Sequence, residues 1–167
     1  KHFVDSLSIV KALDMAEIKS CIDVGTGAGF PGIPLKIVFP HIQITLLDSL
    51  NKRLKFLDAV IEDLGLKGIQ TVHGRAEDGA RRQEHRGQYD LSVTRAVARL
   101  CTISEYCMPY VKEGGFFVAY KSGRGTYGGE KSSFRVGGKA GKDSRIPPSR
   151  YGYGAFPCSY QEGKTDT

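Results

Sequence analysis

The chain has no tryptophan and only two methionines in 167 residues. Its four cysteines (Cys21, Cys101, Cys107, Cys158) form no C-x-x-C pair. That excludes the common zinc and dithiol spacings and reads as reduced thiols in a cytoplasmic protein. His41, His73 and His85 have no metal-ligand spacing either, so no metal is expected. No apolar run approaches the ~18 residues of a membrane helix; the longest, around Ile42–Leu47, is strand-sized. Neither a Met nor a basic-then-apolar leader stands at Lys1-His2, so no signal peptide is expected and the native start is expected to lie upstream. Ser6, Ser49 and Ser104 sit in no nucleophile-elbow context, which argues against a serine hydrolase.

What is present is ordinary globular material, 40% hydrophobic and 25% charged, in one domain's length. The formal charge of +6 is uneven. Residues 1–120 carry 15 Lys and Arg against 14 Asp and Glu, whereas residues 121–167 carry 9 against 4. The C-terminal stretch also holds 10 of the 21 glycines, and its only Leu, Ile, Val or Met residues are Val136 and Ile146. So few aliphatics cannot offset the entropy of ordering. The reading is therefore a folded core over residues 1–121 and an atypical Gly/Ser/Arg-rich tail over residues 122–167, disordered or translated out of frame.

Within the core, elements alternate. Phe3–Leu13 has apolar residues near helical spacing. Ser20–Val24, Ile42–Leu47, Ile69–His73, Tyr89–Thr94 and Phe116–Tyr120 read as strands. Pro31–Phe39, Asn51–Leu64 and Ala96–Tyr110 read as helices, the second capped by Ser49 and ended by Gly65. This alternation predicts an α/β fold with a doubly wound, mostly parallel sheet. Such sheets bind ligands beyond the carboxyl ends of the strands, where the strand order reverses.

The loop after the first strand is the strongest signal: Asp23-Val24-Gly25-Thr26-Gly27-Ala28-Gly29-Phe30-Pro31-Gly32. Alternate glycines let the backbone turn tightly and approach a ligand with no Cβ in the way. Two nucleotide ligands compete. Gly27-x-Gly29-x-x-Gly32 fits the dinucleotide pattern, with Asp48 lying 21 residues beyond Gly27 as the ribose acid. Its register is wrong, because the strand ends at Gly25 and the third glycine position would then fall on Phe30. The other reading, Asp-x-Gly-x-Gly-x-Gly, suits S-adenosylmethionine (SAM). Asp23 would answer the ammonium group and Asp48 the ribose hydroxyls. After the third strand, Gly74-Arg75-Ala76-Glu77-Asp78 offers carboxylates where the adenine of SAM is received in such folds.

Lys1-His2-x-x-Asp5-Ser6-Leu7, the glycine loop with its Phe30-Pro31-Gly32-Ile33-Pro34-Leu35 extension, Leu47-Asp48-Ser49-x-x-Lys52-Arg53, Gly74-Arg75-Ala76-Glu77 and Thr94-Arg95-Ala96-Val97-Ala98 together resemble the ribosomal RNA small subunit methyltransferase G family, also called glucose-inhibited division protein B. The resemblance implies a Rossmann-like SAM-dependent methyltransferase fold, here incomplete at both ends. It implies a bacterial cytoplasmic enzyme, expected to be monomeric, that methylates N7 of a guanine in 16S rRNA or a small-subunit precursor. Carried over by position, Gly25, Gly27, Gly29 and Phe30 would line the cofactor pocket, Ala76 would meet adenine through its backbone beside Glu77, and Arg95 would sit between cofactor and substrate. His2, Asp5 and Lys121 are further substrate-positioning candidates. Three departures stand out: no helical segment precedes His2, Ser122 replaces a glycine after Lys121, and the tail has the wrong composition for the family's last helix and two strands.

Guanine N7 carries a free lone pair, so no base is needed to remove a proton, and alignment alone can supply ~7–11 kcal/mol. Lys52-Arg53-x-Lys55 and Arg81-Arg82 with Arg86 are basic clusters suited to phosphates. Two alternatives stay open, a nicotinamide-dependent oxidoreductase on a related fold and a non-catalytic RNA-binding fragment.

Overall fold

A computed structural model describes residues 2–95, 100–124 and 130–139. A six-stranded sheet carries the strands β1 (Ser20–Val24), β2 (Gln43–Asp48), β3 (Ile69–His73), β4 (Tyr89–Arg95), β5 (Val111–Arg124) and β6 (Glu130–Lys139). Their order is β3-β2-β1-β4-β5-β6. The first five run parallel, and only β6 pairs antiparallel, on β5. The order reverses between β1 and β4, which puts the carboxyl ends of these strands at the point where a ligand is expected.

The helices are α1 (His2–Ser6), continued by a 3-10 segment over Leu7–Lys11, then α2 (Gly32–Val38), α3 (Asn51–Asp63), α4 (Ala76–Gly79) and α5 (Leu100–Cys107), followed by a 3-10 turn at Met108–Tyr110. Two apolar clusters cover the sheet. One packs Ile9, Leu35, Leu46, Leu54 and Leu57 with Val118 and Tyr120. The other packs Ile22, Leu47, Ile103, Cys107, Tyr110 and Phe117. β1, β2 and β4 are buried almost throughout, as strands covered on both faces must be.

Four local expectations are corrected. The opening helix tightens to 3-10 geometry at Leu7 instead of running on to Leu13. Ser49 does not cap α3; its N-cap residue is Leu50, whose N–H donates to Asp48 Oδ1 at 2.9 Å, so the carboxylate at the end of β2 takes the capping role. Gly114 and Gly115 do not precede the fifth strand but lie inside it, where the pairing with β4 slips between Tyr89 and Leu91. Gly114 has φ +80°, and Gly115 lies against the Asp90 carbonyl, where a Cβ would come within 2.7 Å. The segment after Tyr120, read as unable to form strands, extends β5 to Arg124 and supplies β6. A sheet edge is held by backbone bonds and needs few aliphatic side chains to pair. Residues 96–99, at the start of the predicted fourth helix, and 140–167, most of the predicted tail, lie outside the described residues.

Candidate functional site

A cavity of about 840 Å³ opens at the carboxyl ends of β1, β2 and β3. Gly25, Asp48, Ala76 and Glu77 line it, together with Thr94 from β4 and Ile103, Tyr106 and Cys107 from α5. Gly25 leaves β1 with φ +70°, a backbone shape that favours glycine, and its N–H donates to the Leu47 carbonyl at 2.8 Å. A Cβ at Gly25 or at Gly27 (φ +59°) would meet nothing within 4 Å. Both positions are unobstructed, but of the two only Gly25 lines the cavity.

Gly29 and Gly32 serve packing instead. A Cβ on Gly29 would come within 2.8 Å of Ile33 Cδ1 and 2.9 Å of Leu57 Cδ2; one on Gly32 would come within 2.3 Å of Leu46 Cδ2. The run of glycines thus divides into two facing solvent and two admitting α2 and α3 onto the loop.

Two carboxylates organise the loop. Asp48 is 3% exposed yet borders the cavity. Its Oδ2 accepts from Gly27 N–H and its Oδ1 from Leu50 N–H, both at 2.9 Å, and Arg53 Nη1 lies 3.6 Å from Oδ2. Each carboxylate oxygen has two acceptor sites, so one on each remains for a pair of hydroxyls. Asp23 lies beneath the loop and is not on the cavity wall. Its Oδ2 accepts from Thr26 Oγ1 at 2.7 Å and Gly32 N–H at 2.9 Å, while its buried Oδ1 has no partner. Burial pushes its carboxyl up from 3.8 to about 6, against the pull of Thr26, Gly32 and Arg95 and with a small push from Asp48.

Arg95, His2 and Phe30 form a second group at the end of β4. Arg95, at the end of β4, donates from Nη1 to His2 Nδ1 at 2.9 Å, and from Nη2 to the His2 carbonyl at 3.3 Å and Ser6 Oγ at 3.2 Å. Its guanidinium carbon lies 5.9 Å from the ring centres of both Phe30 and Tyr120, within cation–π range. Its buried Nε has no partner. The Tyr120 hydroxyl donates to the Ser6 carbonyl at 2.7 Å, which fastens α1 to the sheet. Phe30 thus belongs with Arg95 and His2 rather than with the cavity lining. Asp5 is half-buried on α1, and its carbonyl accepts from Ser8 Oγ at 2.6 Å. Lys121 has its backbone on β5; its side chain lies outside the described residues.

Sequence reasoning missed the α5 wall. Ile103 and Cys107 lie on the predicted helix Ala96–Tyr110 and are buried, but with Tyr106 they also line the cavity. Only the fold sets α5 against β4, β5 and α4. Burial pushes the Cys107 thiol up to about 12, so it is an apolar lining group and not a nucleophile. Thr94 Oγ1 donates to the Val24 carbonyl at 2.7 Å and ties the ends of β4 and β1 together. Among the described residues, no three His, Cys, Asp or Glu side chains gather as a metal site, and no helix is long and apolar enough to cross a membrane.

The sequence model of the rRNA small subunit methyltransferase G family matches residues 1–140. A ribosomal RNA small subunit methyltransferase G from Clostridium botulinum (strain Loch Maree) is 60% identical over 121 residues, covering 72% of this chain and 51% of the relative. One from Lachnoclostridium phytofermentans is 49% identical over 142 residues, covering 85% and 59%. The chain thus spans about half the length of these curated relatives. Among solved structures, a putative SAM-dependent methyltransferase from Methanococcus maripaludis superposes with a TM-score of 0.59 at 21% identity, over 72% of this chain and 55% of its own. A coclaurine N-methyltransferase bound to N-methylheliamine and SAH superposes with a TM-score of 0.58 at 11% identity, over 71% and 35%. At such identities the structures speak for the fold alone, which is that of Rossmann-like methyltransferases. By its sequence, this chain belongs to the rRNA small subunit methyltransferase G family.

Proposed function

We propose that the chain transfers a methyl group from SAM to N7 of a guanine in 16S rRNA. It acts as a monomer in the bacterial cytoplasm, on the RNA or a small-subunit precursor. The observation that carries this reading is the cavity at the carboxyl ends of the strands, bordered by the oriented Asp48 carboxylate and by the unobstructed Gly25, in a chain of this family.

The residues fit the cofactor. Asp48, fixed by two backbone N–H groups, keeps acceptor capacity for the ribose hydroxyls. Ala76 and Glu77 face the adenine end, with Ile103 and Tyr106 as an apolar wall. Asp23 holds Thr26 and Gly32 in place and keeps an unpaired oxygen beneath the loop, which offers negative charge to the ammonium end. When bound, SAM supplies a methyl group on a positively charged sulfur.

The protein's task is then alignment. Guanine N7 needs no deprotonation, so no general base is assigned. Arg95, held by Phe30 and Tyr120, would meet the base edge or a phosphate, with His2, Asp5 and Lys121 around it. Arg53 and Arg82 border the cavity, and with exposed Lys52, Lys55 and Arg81 they would meet the RNA backbone. The test uses methyl-labelled SAM with small-subunit RNA and particles from a strain lacking this modification. Label at guanine N7 is expected; label at another atom, or none on either substrate, refutes the assignment.

A further inference from the structure

Within its own segment the turn carrying Ala76 and Glu77 is held by backbone bonds, Gly79 N–H to the Arg75 carbonyl and Ala80 N–H to the Ala76 carbonyl, each at 3.0 Å, and by no side-chain cap. α4 is four residues long and its first residue follows Arg75, which makes no side-chain cap bond. The Arg75–Glu77 ion pair spans 4.0 Å with side chains 74% and 44% exposed, a geometry that contributes little.

A distant residue adds a side-chain bond to this turn's backbone. The Tyr110 hydroxyl donates to the Ala76 carbonyl at 2.5 Å, across 34 positions of chain. Its ring is fully buried. Its backbone is anchored to the loop before β4, where Gly87 N–H donates to the Pro109 carbonyl at 2.8 Å and Gln88 N–H to the Tyr110 carbonyl at 3.1 Å. On the other side, a Cβ on Gly79 would lie 2.5 Å from the Tyr110 hydroxyl oxygen, so glycine at the end of α4 makes room for it.

We propose that Tyr110 is a positioning residue for the adenine end of the cofactor cavity: its hydroxyl fixes the Ala76 carbonyl and so the plane of the Ala76–Glu77 peptide that faces the ligand. A peptide unit is planar, so holding the carbonyl also aims the Glu77 N–H. The Ala76 carbonyl keeps a second donor, Ala80 N–H at 3.0 Å, so removing the hydroxyl leaves no orphaned acceptor. The inference rests on the reading of the cavity as a SAM site.

The test is calorimetry of the full chain with S-adenosylhomocysteine and, separately, 5'-methylthioadenosine, which keeps the adenosine but lacks the amino-acid end. Y110F is expected to bind both roughly three- to tenfold more weakly, the loss of one hydrogen bond. The factor should be the same for the two, with a ligand-free melting temperature within roughly 4 °C of wild type. Unchanged affinity, or a lower melting temperature with unchanged affinity, overturns the proposal. Should Y110F fail to fold, G79A displaces the hydroxyl from the opposite side; it is expected to lose affinity for both ligands equally, and wild-type affinity in it is the overturning result. Wild-type protein that binds neither ligand refutes the cofactor reading itself, and this inference with it.

Discussion

Glycines 25 and 32 stand at the two ends of one loop and should fail in opposite ways when replaced by alanine. At Gly25 the new Cβ meets nothing within 4 Å, and the only cost to the free protein is φ +70° for a residue with a side chain. That costs about 1–2 kcal/mol, or roughly 2–8 °C in a chain of this size. At Gly32 the Cβ would sit 2.3 Å from Leu46 Cδ2 and 2.9 Å from Asp23 Oδ2. Leu46 and Asp23 are both fully buried, and Gly32 N–H is one of the two donors to that carboxylate. Overpacking of this kind costs about 1–3 kcal/mol, and loss of the bond to a charged group adds about 1.5–3 kcal/mol. Gly32→Ala should therefore be the less stable variant in urea titrations. Gly25 borders the cavity, so its methyl group competes with ligand for the same volume. An overpacking penalty of about 1–3 kcal/mol there corresponds to a roughly five- to 150-fold weaker affinity for S-adenosylhomocysteine. The expected pattern is that Gly25→Ala folds and loses the ligand, while Gly32→Ala loses stability first. Wild-type affinity in Gly25→Ala would refute the placement of the ligand on that face of the loop.

Asp23 predicts a pH dependence. Its folded-state value of about 6 lies above the ordinary 3.8, so the folded protein binds more protons in that interval and the group's contribution is lost as pH rises through about 6. The full contribution is about 3 kcal/mol, and about 2 kcal/mol of it is lost between pH 4 and pH 7. Asp23→Asn keeps an acceptor for Thr26 and Gly32, so urea titrations across that range should show a flatter profile for the variant than for wild type. Parallel profiles would refute the assignment. Arg95→Ala removes two ring contacts and the bonds to His2 and Ser6; it should lower the melting temperature by several degrees, about 1–3 kcal/mol, and reduce methyl transfer by a larger factor than S-adenosylhomocysteine affinity. Equal losses in stability, affinity and transfer would mean a purely structural arginine.

Much of this architecture was legible because it is written in local pattern. β1 and β3 lie where their apolar runs and flanking glycines predict, and α3 matches its Leu54, Leu57 and Ile61 face to within a residue at its end. The place of Asp48 at the cavity edge was legible from its position at the strand's end, although its bond to Gly27 was not, since it joins distant chain segments by tertiary contact. The division of the glycines into open and packed pairs depends on where Ile33, Leu57 and Leu46 arrive, which no spacing encodes. The same holds for Tyr110, a residue of an unremarkable Met-Pro-Tyr turn whose hydroxyl crosses to Ala76. β6 escaped notice because an antiparallel edge strand leaves no hydrophobic signature in a stretch whose aliphatic content is Val136.

The proposed occupant of the cavity at the carboxyl ends of β1, β2 and β3 is a sulfonium nucleoside and not a dinucleotide. Titration calorimetry of the chain with S-adenosylhomocysteine and with NADH separates the two. Micromolar binding of S-adenosylhomocysteine with no heat from NADH is expected; tight NADH binding with no response to S-adenosylhomocysteine would make the cavity a dinucleotide site.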